Sequence, residues 1–500
     1  MPPHCSPSRI RAWQVGPGFV RRPSRLTDVF SRYRLVGALV GGLCLLLCTE
    51  GLAADVPPAR RSAAPAADPG RWVRWLPEQS VSSPLAVPEA AASPLLAMIA
   101  DDSIQQRFTS DVLARKWAAG PASLPWNALA LELIVKYQQN PLRAARVLAH
   151  MHAAANDAIG ELAATRSGEA AQSVAAQTVA VHVASAAVLA HFYPQESPGR
   201  LEALGIGAML AVAAKPGISP EALAAARQAG HRAAAGAIRR ALDDGGDATW
   251  HPADRPAAAA PVWRAAPPLN LYQPTEPLAG RWRTWALTDG SDIAPPAPPP
   301  YGSDRHQEEA REVLQVSRAL TAEQKRIADE WNLDKGSVTP PGVWNRKAIN
   351  LVARHRLDTA ETARLLAALN VAMADALVAC WRAKFEHWTV RPVNVIREQL
   401  DPSFLPYLFT PPFPAYVSGH AAVSSAAAEV LAAFFPEQAG ELQAGAAEAA
   451  MSRLYGGIHF RSDNDEGLRL GRAIGRRVIK RSLGDRHLRA SDKSAPPVVQ

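Results

Sequence analysis

The sequence predicts an all-α fold, and three observations carry that expectation. Alanine-rich stretches with helical punctuation recur along most of the chain, divided by proline and glycine, while strand-like alternation is scarce. The 500 residues are 48% hydrophobic and 20% charged, enough apolar material for a large core. Of four cysteines only Cys380 lies beyond residue 48, so no internal disulfide can brace the remainder and helix packing must do it. Cys380 itself reads as a small core residue rather than a nucleophile.

Taken in order, the chain opens with an export pattern. Arginines as far as Arg34 precede an apolar run over 35–48, and Gly51, Leu52 and Ala53 offer small residues for cleavage, which is the order of a secretory signal over 1–53. An apolar run of that length is too short to span a bilayer comfortably. The expectation is an exported protein, periplasmic or secreted, without stable membrane insertion once the signal is removed. Charge excludes a nucleic-acid partner: seven arginines against Asp28 and Glu50 place +5 of the formal +8 within residues 1–54. The rest of the chain is left with only about +3.

Residues 54–98, rich in Ala, Pro and Ser, read as a flexible linker, and 99–250 as an N-terminal helical half. Asn140 as cap, Pro141 at the first turn and Gly160 at the end mark a helix over 141–159. His150, His152 and Asp157 on it read as core or helix-contact groups rather than metal ligands, because no repeat brings further ligands to them. Helices follow over 169–192, 199–214 and 219–242. The first raises the membrane question, but Gln177, His182 and His191 interrupt it and alanine gives little insertion energy, so a buried helix is expected. Over 251–303 proline dominates, with Trp263, Trp282 and Trp285 interleaved, as suits an extended crossover laid over two helical halves. Helical patterns resume over 304–319, 321–335, 343–355, 358–388, 418–435, 437–453 and 464–482. They form a C-terminal bundle over 304–485, with a disordered tail over 486–500.

The chemistry-bearing residues fall between Lys384 and Asp463. Lys384 and Arg391 stand seven positions apart, about two helical turns, so both side chains can lean together from one face. Pro392 disfavours α geometry at Arg391, which should end the helix there and leave the guanidinium at the rim of a pocket. Ser418-Gly419-His420 opens an alanine-rich helix. Ser418 reads as its cap, Gly419 lets a backbone N–H approach an anion, and His420 can exchange a proton near neutral pH. Farther on, Arg453 offers a planar fork to two oxygens, and Gly456 and Gly457 let the chain bend. Asp463 lies four residues beyond His459, close enough to hold one ring nitrogen and aim the other as nucleophile or ligand. Singly, each group has a bland counterpart: a solvated charge pair, an ordinary cap, a surface i, i+4 pair. Jointly they suit a tetrahedral oxyanion of high charge.

In this order, Lys-x6-Arg-Pro, Ser-Gly-His and Ser-Arg-x5-His-x3-Asp resemble the signature of the superfamily joining vanadium-dependent haloperoxidases with type 2 phosphatidic acid phosphatases. Weaker similarity to the bacterial haloperoxidase branch extends upstream to about residue 100, through Pro141, Arg143, Arg146, His150, His152, Asn156 and Asp157. The resemblance implies two four-helix-bundle halves, with the anion pocket at one end of the C-terminal bundle. It implies vanadate as cofactor and hydrogen peroxide and halide as substrates. His459 would bond vanadium, and Ser418, Gly419, Lys384, Arg391 and Arg453 would hold its oxygens. His420 would shuttle a proton, Lys384 would also polarise bound peroxide, and Trp381 and Phe413 match residues lining a halide pocket.

Vanadate and phosphate share size, charge and shape. The alternative is therefore a phosphatase acting on phosphomonoesters through a phosphohistidine at His459, steadied by Asp463. A non-catalytic exported oxyanion-binding protein is a third reading. Val417 stands where the family usually has proline, which would hold the Ser-Gly-His donors less rigidly. Asp375 or Glu330 is the expected acid behind the cations. The sequence leaves the halide, the organic acceptor and a homo-oligomer open.

Overall fold

Capping chemistry and apolar faces resolve the described chain into helices joined by short turns and one long irregular segment. The structure, a computed structural model, describes residues 73–76, 117, 120–164, 173–196, 199–213, 218–254 and 262–483. The expected signal over 1–53 and tail over 486–500 lie outside these residues. The fold is all-α: thirteen α-helices and no strand occur among the described residues. In the first part of the chain they are α1 (Ser123–Lys136), α2 (Pro141–Ala164), α3 (Val174–Phe192), α4 (Arg200–Ala213) and α5 (Pro220–Asp243). The later ones are α6 (Asp304–Arg318), α7 (Ala322–Glu330), α8 (Thr339–His355), α9 (Thr359–His387), α10 (Pro392–Gln399), α11 (Gly419–Phe434), α12 (Ala439–Tyr455) and α13 (Arg461–Leu483).

Side chains set many of the boundaries. Asn140 accepts from the Leu142 and Arg143 amides at the start of α2. Ser173 and Ser219 cap α3 and α5, and Thr321 and Asp358 form reciprocal capping boxes with Gln324 and Glu361. Four boundaries differ from the sequence expectation by four residues or more, and the first is α3, which begins at Val174 rather than 169 because Ser173 caps it. Helix α2 continues through Gly160 to Ala164, because buried Ile159 and Leu162 extend its apolar face and outweigh one interior glycine. Helix α7 stops at Glu330, and α8 begins at Thr339 with Pro340 and Pro341 in its first turn. Short helices α1 and α10 were not anticipated individually.

Helix α9 is the shared axis. It packs against α2 on one side and α11 and α13 on the other, and one apolar core runs from Trp75 through α9 to Ile479. Helices from before and after the proline-rich segment thus meet on α9. By length and composition α3 and α9 could each cross a membrane, yet 94% of the apolar window of α9 is buried among its neighbours. His150, His152 and Asp157 are buried on α2, where His152 donates to Asn127 and His150 to the Arg146 carbonyl. Asp157 accepts from the Trp75 and Leu76 amides. The lead over 54–98 is therefore not flexible at residues 73–76, since two buried apolar side chains and a buried carboxylate hold it.

The proline-rich segment is pinned to α9 by close contacts. A Cβ on Gly280 would lie 2.4 Å from the Arg382 amide nitrogen, so only glycine lets the segment cross the helix there. Asp375 accepts from the Trp285 and Ala286 amides at 2.8 and 2.7 Å, and Trp263 donates its amide to the Trp388 carbonyl. Asp375 therefore holds the crossover and not the candidate cations, because its two oxygens point at main-chain donors. Glu330 sits exposed against Arg326 and is no support either.

Helices α11 and α13 approach through a small-residue seam. A Cβ on Gly471 would meet the Ala422 carbonyl oxygen at 2.0 Å, and Gly467 and Gly475 continue the seam one turn either way. Gly471→Ala is expected to lower stability by about 3 kcal/mol, since backbone must move to admit the methyl. Gly440→Ala, with open space around its position, should instead raise it by about 0.5–1 kcal/mol. Urea unfolding of the two variants checks the contrast.

Candidate functional site

The residues flagged between Lys384 and Asp463 converge at one end of α9, α11 and α13. Trp381 and Lys384 lie on the last turns of α9, which Trp388 ends in a left-handed cap. Arg391 is then extended and precedes α10, whose first residue is Pro392. Lys384 and Arg391 thus reach the site from a helix and a loop, not from one helical face. The cap stops α9 four residues before the proline could. Nor does the guanidinium sit at a rim. Its side chain is fully buried, with Nε donating to the Phe413 carbonyl and Nη1 to the Ile458 carbonyl.

Ser418 caps α11 and Gly419 is its first residue, so the Gly419 N–H has no intrahelical acceptor. The preceding loop is held by hydrogen bonds in place of a proline ring. Lys384 donates to the Pro414 and Ala415 carbonyls at 2.8 Å each. The Tyr416 amide donates to Thr389 Oγ1 and the Ser418 amide to the Asp463 carbonyl. Val417 accordingly leaves the donors anchored, and its carbonyl accepts from Cys380 Sγ in the core.

His459 and Asp463 are buried and directly bonded, Nδ1 to Oδ2 at 2.9 Å, and the same oxygen accepts the Phe460 amide. Arg391 Nη1 lies 3.1 Å from His459 Nε2. A guanidinium can only donate, so Nε2 carries the lone pair and Nδ1 the proton. His420 is half-buried. Its Nε2 lies 2.9 Å from the Trp331 carbonyl, which also accepts from Arg453 Nη1 at 2.6 Å. That acceptor fixes the proton on Nε2 and leaves Nδ1 bare. His420, Arg453, His459, Gly419, Trp381 and Phe413 all face one cavity of about 200 Å³. The Trp381 and Phe413 rings meet at 4.9 Å beside it.

Burial dominates the electrostatics. It pushes the Lys384 ammonium down to about 7, with Arg391 acting in the same direction. Burial also lowers Arg391 to about 9 and Arg453 to about 10, partly offset by Asp463 and Asp334 respectively. Both imidazoles are held well below their ordinary range by burial and the neighbouring guanidinium groups. The Asp463 carboxyl is pushed up by burial. Each charged form is short of counter-charge here.

The donors fit a tetrahedral oxyanion. Arg391 Nη2 is buried with no partner, and the third N–H of Lys384 has no acceptor among the described residues. With Gly419 N–H and the Ser418 hydroxyl they supply donors where no protein acceptor exists. Three contributors carried no readable signal in the sequence. Trp331 acts through a main-chain oxygen, while Asn332 and Asp334 reach the cavity from the turn between α7 and α8.

Comparison with known proteins bears on the fold and on the segment that carries these residues. The family model for the second helical-bundle domain of VCPO, vanadium chloroperoxidase, matches residues 364–444 and 438–484, which contain every candidate site residue. Over these residues the chain matches the vanadium-dependent haloperoxidase family. A curated relative, the vanadium chloroperoxidase of Curvularia inaequalis, is 29% identical over 136 residues, which is 22% of this chain and 22% of that protein. The match thus spans about a fifth of the relative's length. Among solved structures, the first bacterial vanadium-dependent iodoperoxidase superposes with a TM-score of 0.60 at 24% identity, covering 71% of this chain and 95% of its own. A holo bacterial vanadium-dependent chloroperoxidase gives 0.52 at 18%, covering 71% and 94%. These two share the all-α haloperoxidase fold with this chain.

The protonation of Lys384 and Asp463 yields a test of oxyanion binding at this site. A bound dianion favours the Lys384 ammonium, which burial pushes down, and the neutral Asp463 carboxyl, which burial pushes up, so near and above neutral pH binding must take up protons. Sulfate keeps its charge across this range. Its affinity should fall as pH rises through 7, by up to about tenfold per pH unit for each group, and Lys384→Met should lessen the slope. Calorimetry between pH 5.5 and 9 measures both.

Proposed function

We propose that the chain is a vanadate-dependent haloperoxidase that oxidises halide with hydrogen peroxide to a hypohalous species. One observation carries the reading. Lys384, Arg391 and Arg453 are buried around His459, where Asp463 is the buried carboxylate and Asp334 at the cavity wall offsets only part of the cost at Arg453, and Arg391 Nη2 has no hydrogen-bond acceptor among the described residues. Uncompensated buried cations are costly, and a multiply charged oxyanion restores the balance. The sequence relative and fold neighbours, described as vanadium chloro- and iodoperoxidases, support vanadate as that anion.

Vanadate bound here would supply Lewis acidity toward peroxide without a change of oxidation state. His459 would hold it through Nε2, with the ring aimed by the Nδ1–H bond to Asp463. Lys384, Arg391, Arg453, the Ser418 hydroxyl and the Gly419 N–H would hold its oxygens. His420 has Nε2–H committed to the Trp331 carbonyl, so Nδ1 is the nitrogen that takes a proton from incoming peroxide and returns it as water forms. Lys384 Nζ lies 5.6 and 5.1 Å from the Trp381 and Phe413 ring centres. The ammonium can polarise the reacting oxygen while the rings strip water from the halide. Halide, peroxide and one proton give hypohalous acid and water. The signal pattern over 1–53 supports export to the periplasm or medium.

The same His459–Asp463 pair suits attack on phosphorus, which keeps the phosphatase as the second reading. After incubation with orthovanadate, the protein is expected to halogenate a dye only when peroxide and halide are both present. His459→Ala should abolish turnover, and Asp463→Ala should weaken vanadate binding about 10–100-fold. Phosphate release from p-nitrophenyl phosphate, with no halogenation by chloride, bromide or iodide, would establish the phosphatase instead. Oxyanion binding with neither turnover would leave a binding protein.

A further inference from the structure

Both His420 and Arg453 are oriented by one atom, the Trp331 carbonyl oxygen, and what holds that atom is a second matter. Trp331 is the C-terminal cap of α7, so its carbonyl is among those a helix end leaves without an intrahelical donor, at the negative end of the helix dipole. Helix α7 is only nine residues long and buries one of them, Ala328, against Leu408 and Ile458. The Leu333 amide donates to the same carbonyl at 2.9 Å, which ties it only within its own turn, so neither that bond nor so small an apolar contact fixes it relative to α11 and α12.

The Trp331 indole supplies the missing restraint. It is buried, and its single N–H donates to Glu448 Oε1 at 2.9 Å. Glu448 lies on α12, five residues before Arg453 on the same helix. The bonds therefore close a ring: α12 holds the indole through Glu448, the indole sets the carbonyl, and the carbonyl holds Arg453 back on α12 and His420 on α11.

We infer that Glu448 is a positioning residue for the oxyanion site, acting through Trp331 on Arg453 and His420. The inference rests on those two as oxyanion-holding and proton-carrying groups, and extends to a residue that touches neither anion nor substrate. What matters is the acceptor on residue 448, not its charge.

The test uses the full chain and inorganic phosphate as probe, with binding measured by calorimetry and halogenation kinetics in parallel. Glu448→Ala is expected to raise the phosphate Kd about tenfold and to lower kcat, with the thermal midpoint and helical circular dichroism retained. Glu448→Gln, which keeps a carbonyl acceptor, should return both to within about twofold of the parent. Trp331→Phe keeps an aromatic ring at the position and loses the pyrrole ring with its N–H, so it should match Glu448→Ala, and the double variant should be no worse than the weaker single. Should Glu448→Ala fail to fold, Trp331→Phe against its parent decides the question alone. Parent affinity in either single variant, a Gln variant as weak as the Ala variant, or additive losses would overturn the inference. Phosphate binding needs no turnover. If the parent halogenates nothing while these affinities behave as expected, the haloperoxidase reading falls and the positioning role stands.

Discussion

Burying three long cations with little carboxylate to balance them is the constraint on which the rest of this structure depends. A lysine and two arginines out of water cost several kcal/mol each unless paired, and Asp463 is the one carboxylate bonded within the group. Main-chain carbonyls take up part of the deficit: Pro414, Ala415, Phe413, Ile458 and Trp331 each accept from one of the three. Such dipoles orient the side chains without neutralising them. The protein therefore spends stability to keep donors such as Arg391 Nη2 where the described residues supply no acceptor, as expected of a site organised around an incoming anion.

The scaffold explains how that cost is sustained. Long, densely buried α9 carries Trp381 and Lys384 at its end, and the α11–α13 seam sets Ser418 against Asp463 with almost no room between backbones. Every loop reaching the site is tied at more than one point. The 414–418 loop bonds to Lys384, Thr389 and Asp463, and the crossover bonds to the 388–389 turn and to Asp375. Rigid elements packed this tightly can hold an unfavourable charge arrangement that an isolated loop would relax.

Much of this was legible in the chain. Cap residues, proline at first turns and alanine-rich periodicity gave most helices to within a few residues, and the order of cations, small residues and histidines pointed to residues that the structure brings together. Arg391 shows the limit. Pro392 correctly signals a break, yet whether the guanidinium lies at a rim or in the interior depends on carbonyls at 413 and 458, remote in sequence. Asp375 misled for a related reason: a buried acid near a cationic cluster looks like its counter-ion until its main-chain partners are known. Trp331 was illegible in principle, because it contributes a carbonyl that every residue possesses.

The arrangement of protons separates the two imidazoles more sharply than their positions do. His459 donates to a carboxylate and keeps Nε2 as a lone pair among cations. His420 donates to a neutral carbonyl and keeps Nδ1. A carboxylate partner raises the basicity of the opposite nitrogen, whereas a neutral carbonyl raises it far less. His459 is thereby the stronger electron-pair donor, suited to hold the central atom of an oxyanion. His420 is the weaker base, suited to give a proton back as readily as it takes one. Exchanging those partners would exchange the basicities, so the difference between the two imidazoles is set by Asp463 and Trp331 rather than by the histidines themselves.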